Sequence, residues 1–143
     1  MKLVNKTNLP NTLIREVIRN VRPPGIEIKE IEVGNCKHAG NGVAYRKRLR
    51  IKLPRKDSQA RAVWKPKGAY LGMAIGNRME ALVMLLAHEL RHLWQAQGPV
   101  PKKLTEKRKP RKGMVWGARG VGSERDADAY AIHKLRQWRR GEL

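Results

Sequence analysis

The chain has 143 residues, one cysteine and a formal net charge of +20, from 32 Lys and Arg against 12 Asp and Glu. That length suits one domain spanning residues 1–143, the lone Cys36 excludes an internal disulfide, and the charge predicts attraction to polyanions. The longest apolar run, Ala81 to Ala87, is far short of the ~20 residues needed to cross a bilayer. No apolar stretch follows the N-terminal lysine as an export signal would, so a soluble, cytoplasmic protein is expected.

Asn11 to Val21 places Leu13, Ile14, Val17, Ile18 and Val21 at helical spacing and stops at Pro23-Pro24-Gly25, which predicts an amphipathic helix. Ile26 to Val33 is β-branched and alternating, with a slip near Lys29-Glu30 of the kind a bulge produces. Gly34 to Gly42 reads as a turn region. Cys36 and His38 fall there, but two ligand types in a Gly-rich loop are more simply a plain loop. Val43 to Leu53 alternates again. Tyr45, Lys47, Leu49, Ile51 and Leu53 share one face of the expected strand, and Arg46, Arg48, Arg50 and Lys52 share the other. Arg55 to Lys67 is charged and irregular, and Ala69 to Ile75 reads as a further strand weakened by Gly72.

Asn77 to Glu80 carries the signature of a helix start, with Asn77 as cap and Glu80 as its capping-box partner. The helix is expected to reach about Gln97, before Gly98-Pro99. Pro99 to Gly122 is a long basic connection without apolar periodicity, a candidate lid. Ser123 to Arg140 reads as a last helix, capped by Ser123 with Asp126 three later, and with Ala127, Ala131, Leu135 and Trp138 as its apolar stripe. The order of helix, strands, helix, long loop and helix gives an α+β class.

Within the long helix, Ala87 to Gln95 reads AHELRHLWQ. Residues four apart on a helix lie nearly one above the other, so His88 and His92 can aim both imidazoles at one point. Glu89, roughly 100° further round, can reach a water on a metal held there without ligating the metal itself. This is the pattern of a hydrolytic zinc helix with its own general base. Leu86, Leu90 and Leu93 already supply a core face, so the histidines are not needed for packing.

A catalytic zinc takes three protein ligands and leaves a fourth position open. His38 and His133 are poorly placed to be the third. Glu124 and Asp128, four apart in SERDADAYA, fit better: one can ligate while the other holds an imidazole by its free N–H. Acids in a first turn also serve the helix dipole, but Asp128 lies beyond the capping box, and Glu124 is the preferred ligand.

HELRH followed by ERDAD resembles the gluzincin branch of zincin metallopeptidases, and most closely its small single-domain forms: ImmA/IrrE-like, SprT-like and minigluzincin-like proteins. The resemblance implies a zincin-like domain with a backing helix, a small mixed sheet, the HELRH helix and a C-terminal glutamate helix. It also implies His88, His92 and Glu124 as zinc ligands, Glu89 as the general base and Asp128 as an orienting carboxylate. For the oxyanion-stabilising residue, Tyr130, His133, Tyr70 and Arg119 all remain open.

The expected function is therefore a zinc-dependent metallopeptidase in which Glu89 activates a zinc-bound water. Its substrate would be a peptide or protein, acidic or met near nucleic acid, with Ala69 to Ile75 as a candidate edge for strand pairing. Non-specific nucleic-acid contact is expected through Arg46, Arg48, Arg50, Lys52, Lys107, Arg108 and Lys109, and no membrane partner is expected. The alternative is a basic nucleic-acid-binding protein with a structural zinc. Glu89 discriminates between them, because a closed structural site needs no base.

Overall fold

The computed structural model describes residues 1–37, 40–64, 73–98 and 121–143. In chain order these form β1 (Lys2–Asn5), α1 (Asn11–Val21), β2 (Glu30–Cys36), β3 (Asn41–Tyr45), β4 (Arg48–Pro54), α2 (Asp57–Ala60), β5 (Ala62–Trp64), β6 (Met73–Ile75), α3 (Arg78–Gln97) and α4 (Val121–Arg139). The fold is α+β. A four-stranded mixed sheet has the order β1-β2-β4-β3, with β1, β2 and β4 parallel and β3 antiparallel at the edge. β5 and β6 make a separate two-stranded ribbon. No described helix is long and apolar enough to cross a membrane.

The core lies between the sheet and the helices. Ile31, Val33, Leu49, Ile51 and Leu53 project from the inner face of the sheet onto Ile14, Val17 and Ile18 of α1 and onto the leucines of α3. α3 is buried nearly all round from Ala81 to Leu90, as a central helix with apolar residues on every side must be. It packs against the sheet, α1 and α4. α4 contributes Ala127, Ala131 and Leu135, all fully buried, and the two alanines let the helices approach closely.

Several strand boundaries differ from the sequence expectation, each for a physical reason. β1 was not anticipated; it pairs in parallel with β2, Leu3 opposite Ile31. β2 begins only at Glu30, so the phase slip marks the start of the strand and not a bulge. Ile26 and Ile28 are buried from irregular backbone before it. Ladder pairing also carries β2 on to Cys36, through the first third of the expected turn region.

The expected strand Val43 to Leu53 is a hairpin. It reverses at Arg46-Lys47, where Arg46 takes a positive φ of 56°. Opposed residues of an antiparallel pair share a face, so the two-residue turn reverses the odd–even phase. Tyr45, opposite Arg48, therefore faces outward, 69 % exposed, while Leu49, Ile51 and Leu53 still face the core. Lys47 leaves the core face for the turn and pairs with Glu27 at 2.7 Å. Just before β3, Gly40 has φ +106°, and a Cβ there would stand 2.9 Å from both Leu85 Cδ1 and the Lys52 carbonyl oxygen.

The start of α3 largely follows expectation. Asn77 Oδ1 accepts the Glu80 amide at 2.9 Å, but Glu80 reaches past the cap to accept the Gly76 amide at 2.7 Å. Arg139 of α4 donates to both Glu80 oxygens and to the Ala74 carbonyl, tying α4 to the start of α3. These hydrogen bonds from Arg139, first among the influences, hold the Glu80 carboxyl below its ordinary value. α4 begins at Val121, two residues before Ser123, so Ser123 is inside the helix and is not its cap. The rest of the 99–122 connection and residues 65–72 lie outside the described residues.

Losing the Asn77 cap leaves an amide of α3 without its side-chain acceptor. Asn77→Ala is expected to cost about 0.5–2 kcal/mol, read as a lower urea midpoint with an unchanged slope.

Candidate metal centre

Two helices build the site. α3 presents His88 and His92 from successive turns, and α4 lies alongside and presents Glu124 and Asp128. His88 Nε2 and His92 Nε2 are 3.1 Å apart. The Glu124 carboxylate reaches both, with one oxygen 3.4 Å from His88 Nε2 and the other 3.0 Å from His92 Nε2. A tetrahedral ion with bonds of about 2.0–2.1 Å separates its donors by roughly 3.3 Å. The three side chains form a group that could hold a metal ion. His88 is buried, and His92 and Glu124 are half-buried.

Each opposite ring nitrogen has an oxygen acceptor beside it. His88 Nδ1 stands 2.9 Å from Asp128 Oδ1, and Asp128 is only 4 % exposed. His92 Nδ1 stands 2.8 Å from Gln95 Oε1. The Gln95 amide cannot be turned round without loss, because its Nε2 already donates to the Ser123 carbonyl at 2.8 Å and to Asp126 Oδ2 at 3.0 Å. Both Nδ1 atoms therefore carry the hydrogen when the rings are neutral, and both Nε2 atoms carry a lone pair. Two lone pairs and a carboxylate converge on one point, and only a cation can satisfy all three.

Protons are the alternative cations, and the ionisation equilibria show the same demand. Burial, the largest influence, pulls the His88 imidazole down, but hydrogen bonds to Asp128 and Glu124 outweigh it and push His88 up to about 9. Burial also opposes ionisation of His92, whose contact with Glu124 still leaves it raised. Hydrogen bonds from the two histidines hold Glu124 far below the usual carboxylate range.

Glu89 stands apart from this group. Its Oε1 is 3.9 Å from His88 Nε2, and its side chain leads to β3, where Gly42 makes room for it. A Cβ on Gly42 would lie 2.7 Å from Glu89 Cγ and 3.0 Å from Oε1. Glu89 is 6 % exposed, and that burial pushes its carboxyl above the ordinary value against the pull of both histidines.

Behind His92, Arg91 grips Asp126 through two hydrogen bonds of 2.7 and 3.1 Å and lies over the Trp94 ring at 3.7 Å. Asp126, expected as a capping residue, instead joins α3 and α4 through Arg91 and Gln95. Gln95 was not anticipated, although its place three residues after His92 puts it within reach on the same helix face. Gly42 gave no sequence signal, because its role depends on a contact across the fold.

Of the candidate oxyanion residues, Tyr130 donates its hydroxyl to the Val21 carbonyl, and burial pushes its pKa up to about 12. His133 is exposed. Tyr70 and Arg119, like His38, Lys107, Arg108 and Lys109, lie outside the described residues.

Comparison with protein-family models, with curated proteins and with solved structures returns no match.

The ligand set and its support make separable predictions. Glu124→Ala should abolish stoichiometric zinc binding. Gln95→Leu, which frees the His92 ring, should weaken it about 10–100-fold. Competition against a chromophoric chelator measures both, and unchanged affinity in Glu124→Ala would remove Glu124 from the site.

Proposed function

We propose that the chain is a zinc-dependent metallopeptidase of the gluzincin type, with His88, His92 and Glu124 as zinc ligands and Glu89 as general base. One observation carries this reading: two imidazole Nε2 atoms, each with an acceptor beside its Nδ1, converge with the Glu124 carboxylate, next to a buried carboxylate that is not one of the three. Zinc held by these residues would supply Lewis acidity and acidify a water.

The chain's own residues account for the rest. Asp128 and Gln95 hold the Nδ1–H of the two imidazoles, which fixes ring orientation and makes each Nε2 a better donor. Glu89 takes a proton at its carboxylate and returns it to the leaving amine. Its burial disfavours the charged carboxylate, which favours its taking up the proton. Gly42 keeps the Glu89 side chain in place by having none of its own.

A substrate in extended form has an edge to pair with. β3 borders the sheet with only β4 beside it among the described residues and touches Glu89 through Gly42, so it is favoured over the Ala69 to Ile75 segment considered from sequence. The described end of that segment, β6, is paired with β5. The formal charge of +20 favours acidic substrates, or proteins met on nucleic acid. A purely structural zinc gives no reason to bury a carboxylate next to the ligands, which supports the hydrolase over the binding module.

Glu89→Gln preserves size and one acceptor oxygen but not basicity. It should retain zinc and lower hydrolysis by the ~10²–10⁴-fold that a positioned base contributes. Gly42→Ala should also retain zinc while lowering hydrolysis, because its Cβ displaces Glu89. A peptide library and the protein's own 99–122 segment are the substrates to screen. Glu89→Gln cleaving as fast as wild type would contradict the mechanism.

A further inference from the structure

The outer face of the four-stranded sheet carries a feature that the metal centre does not use. Strand pairing sets three rows across it. Lys2, Glu30, Arg48 and Tyr45 form the first, Val4, Glu32, Arg50 and Val43 the second, and Gly34, Lys52 and Asn41 the third. The acids are already engaged. Glu30 pairs with Lys2, Glu32 pairs with Lys6 and Arg50, and Glu27 pairs with Lys47. Lys29, Arg46, Arg48 and Lys52 enter none of the ion pairs among the described residues.

In the midst of these cations stand the two exposed large apolar side chains of the sheet, Tyr45 at 69 % and Val43 at 54 %. An open pocket of about 350 Å³ is lined by Lys29, Tyr45, Arg46, Lys47 and Arg48. A second, of about 240 Å³, shares Tyr45 and Arg48 and extends to Val43, Arg50 and the ion-paired Glu30 and Glu32. The Arg46 guanidinium lies 5.4 Å from the centre of the Tyr45 ring.

We propose that this face binds single-stranded nucleic acid, with Tyr45 stacking on a base and Arg46, Arg48 and Lys52 contacting phosphates along the strand. Charge complementarity selects a polyanion, and the exposed ring among the cations selects one that offers flat unpaired bases. A duplex hides its base faces and would use the cations alone. An acidic peptide has charge but nothing for the ring to stack on. Along β4, Arg48, Arg50 and Lys52 recur every ~6.7 Å on one side, a ladder suited to an extended strand. The face is separate from the metal centre, and β3 joins them, with Gly42 turned to Glu89 and Val43 and Tyr45 turned outward.

Fluorescence anisotropy with a labelled oligothymidylate tests the proposal on the full chain. Wild type should bind with a salt dependence near −0.7 per phosphate engaged, and Arg48→Gln with Lys52→Gln should flatten that slope by roughly 1.4. Tyr45→Ala should weaken binding roughly tenfold, with Tyr45→Trp retaining it. An abasic strand should bind wild type weaker by a similar factor and should lose nothing further on Tyr45→Ala, so the stacking partner is identified even without the variant. Zinc content of Tyr45→Ala should equal that of wild type, which separates this surface from the metal centre. Equal binding of abasic and base-bearing strands would overturn the proposal. So would duplex binding as tight as the single strand, or displacement by polyglutamate at equal charge.

Discussion

Three hydrogen-bond acceptors facing one point repel one another and stay together only around positive charge. That constraint organises the interior of this protein. The Nε2 lone pairs of His88 and His92 and the Glu124 carboxylate meet within 3.4 Å of one another, and neither ring can turn away without losing the contact behind it. His88 is held by Asp128. His92 is held by Gln95, and Gln95 by Asp126 and the Ser123 carbonyl. The arrangement is a chain of fixed dipoles that ends at a place for a cation.

The fold supplies the rigidity this requires. α3 is central because its apolar residues run right round it, and burying it on the sheet, α1 and α4 leaves one polar seam, against α4. The two helices are tied at both ends of that seam. Arg139 closes on Glu80 near the start of α3, and Arg91 closes on Asp126 beside the histidines. Asp126 is buried enough to resist ionisation, yet the hydrogen bonds from Arg91 and Gln95 keep it below its ordinary value. A carboxylate so held is a firm anchor for Gln95 and, through it, for the orientation of His92. Glu89 points to the sheet side instead, where Gly42 leaves it space.

The parts legible in the sequence were those set by local periodicity. The His88–His92 spacing, the Asn77 cap, the extent of α1 and the pairing of Glu124 with Asp128 all follow from the helical repeat. Where long-range pairing decides, the sequence was a poorer guide. β1 is four residues with no alternation to read, and it exists because β2 offers it an edge. The β3–β4 hairpin reads as one strand because its turn, Arg46-Lys47, has neither Gly nor Asn to announce the positive φ that Arg46 adopts. That turn reverses the phase and sends Tyr45 outward. Gly42 and Gln95 were missed for related reasons, since each takes its meaning from a partner on another element.

The site requires a cation to be held at one point by two imidazoles and one carboxylate. X-ray absorption spectroscopy of the zinc-loaded protein tests this most directly. It should show one ion per chain with two imidazole nitrogens near 2.0–2.1 Å, a carboxylate oxygen at about 2.0–2.2 Å and one further light-atom ligand. A sulfur shell at about 2.3 Å, or a zinc that remains fully hydrated, would mean that His88, His92 and Glu124 do not form the site.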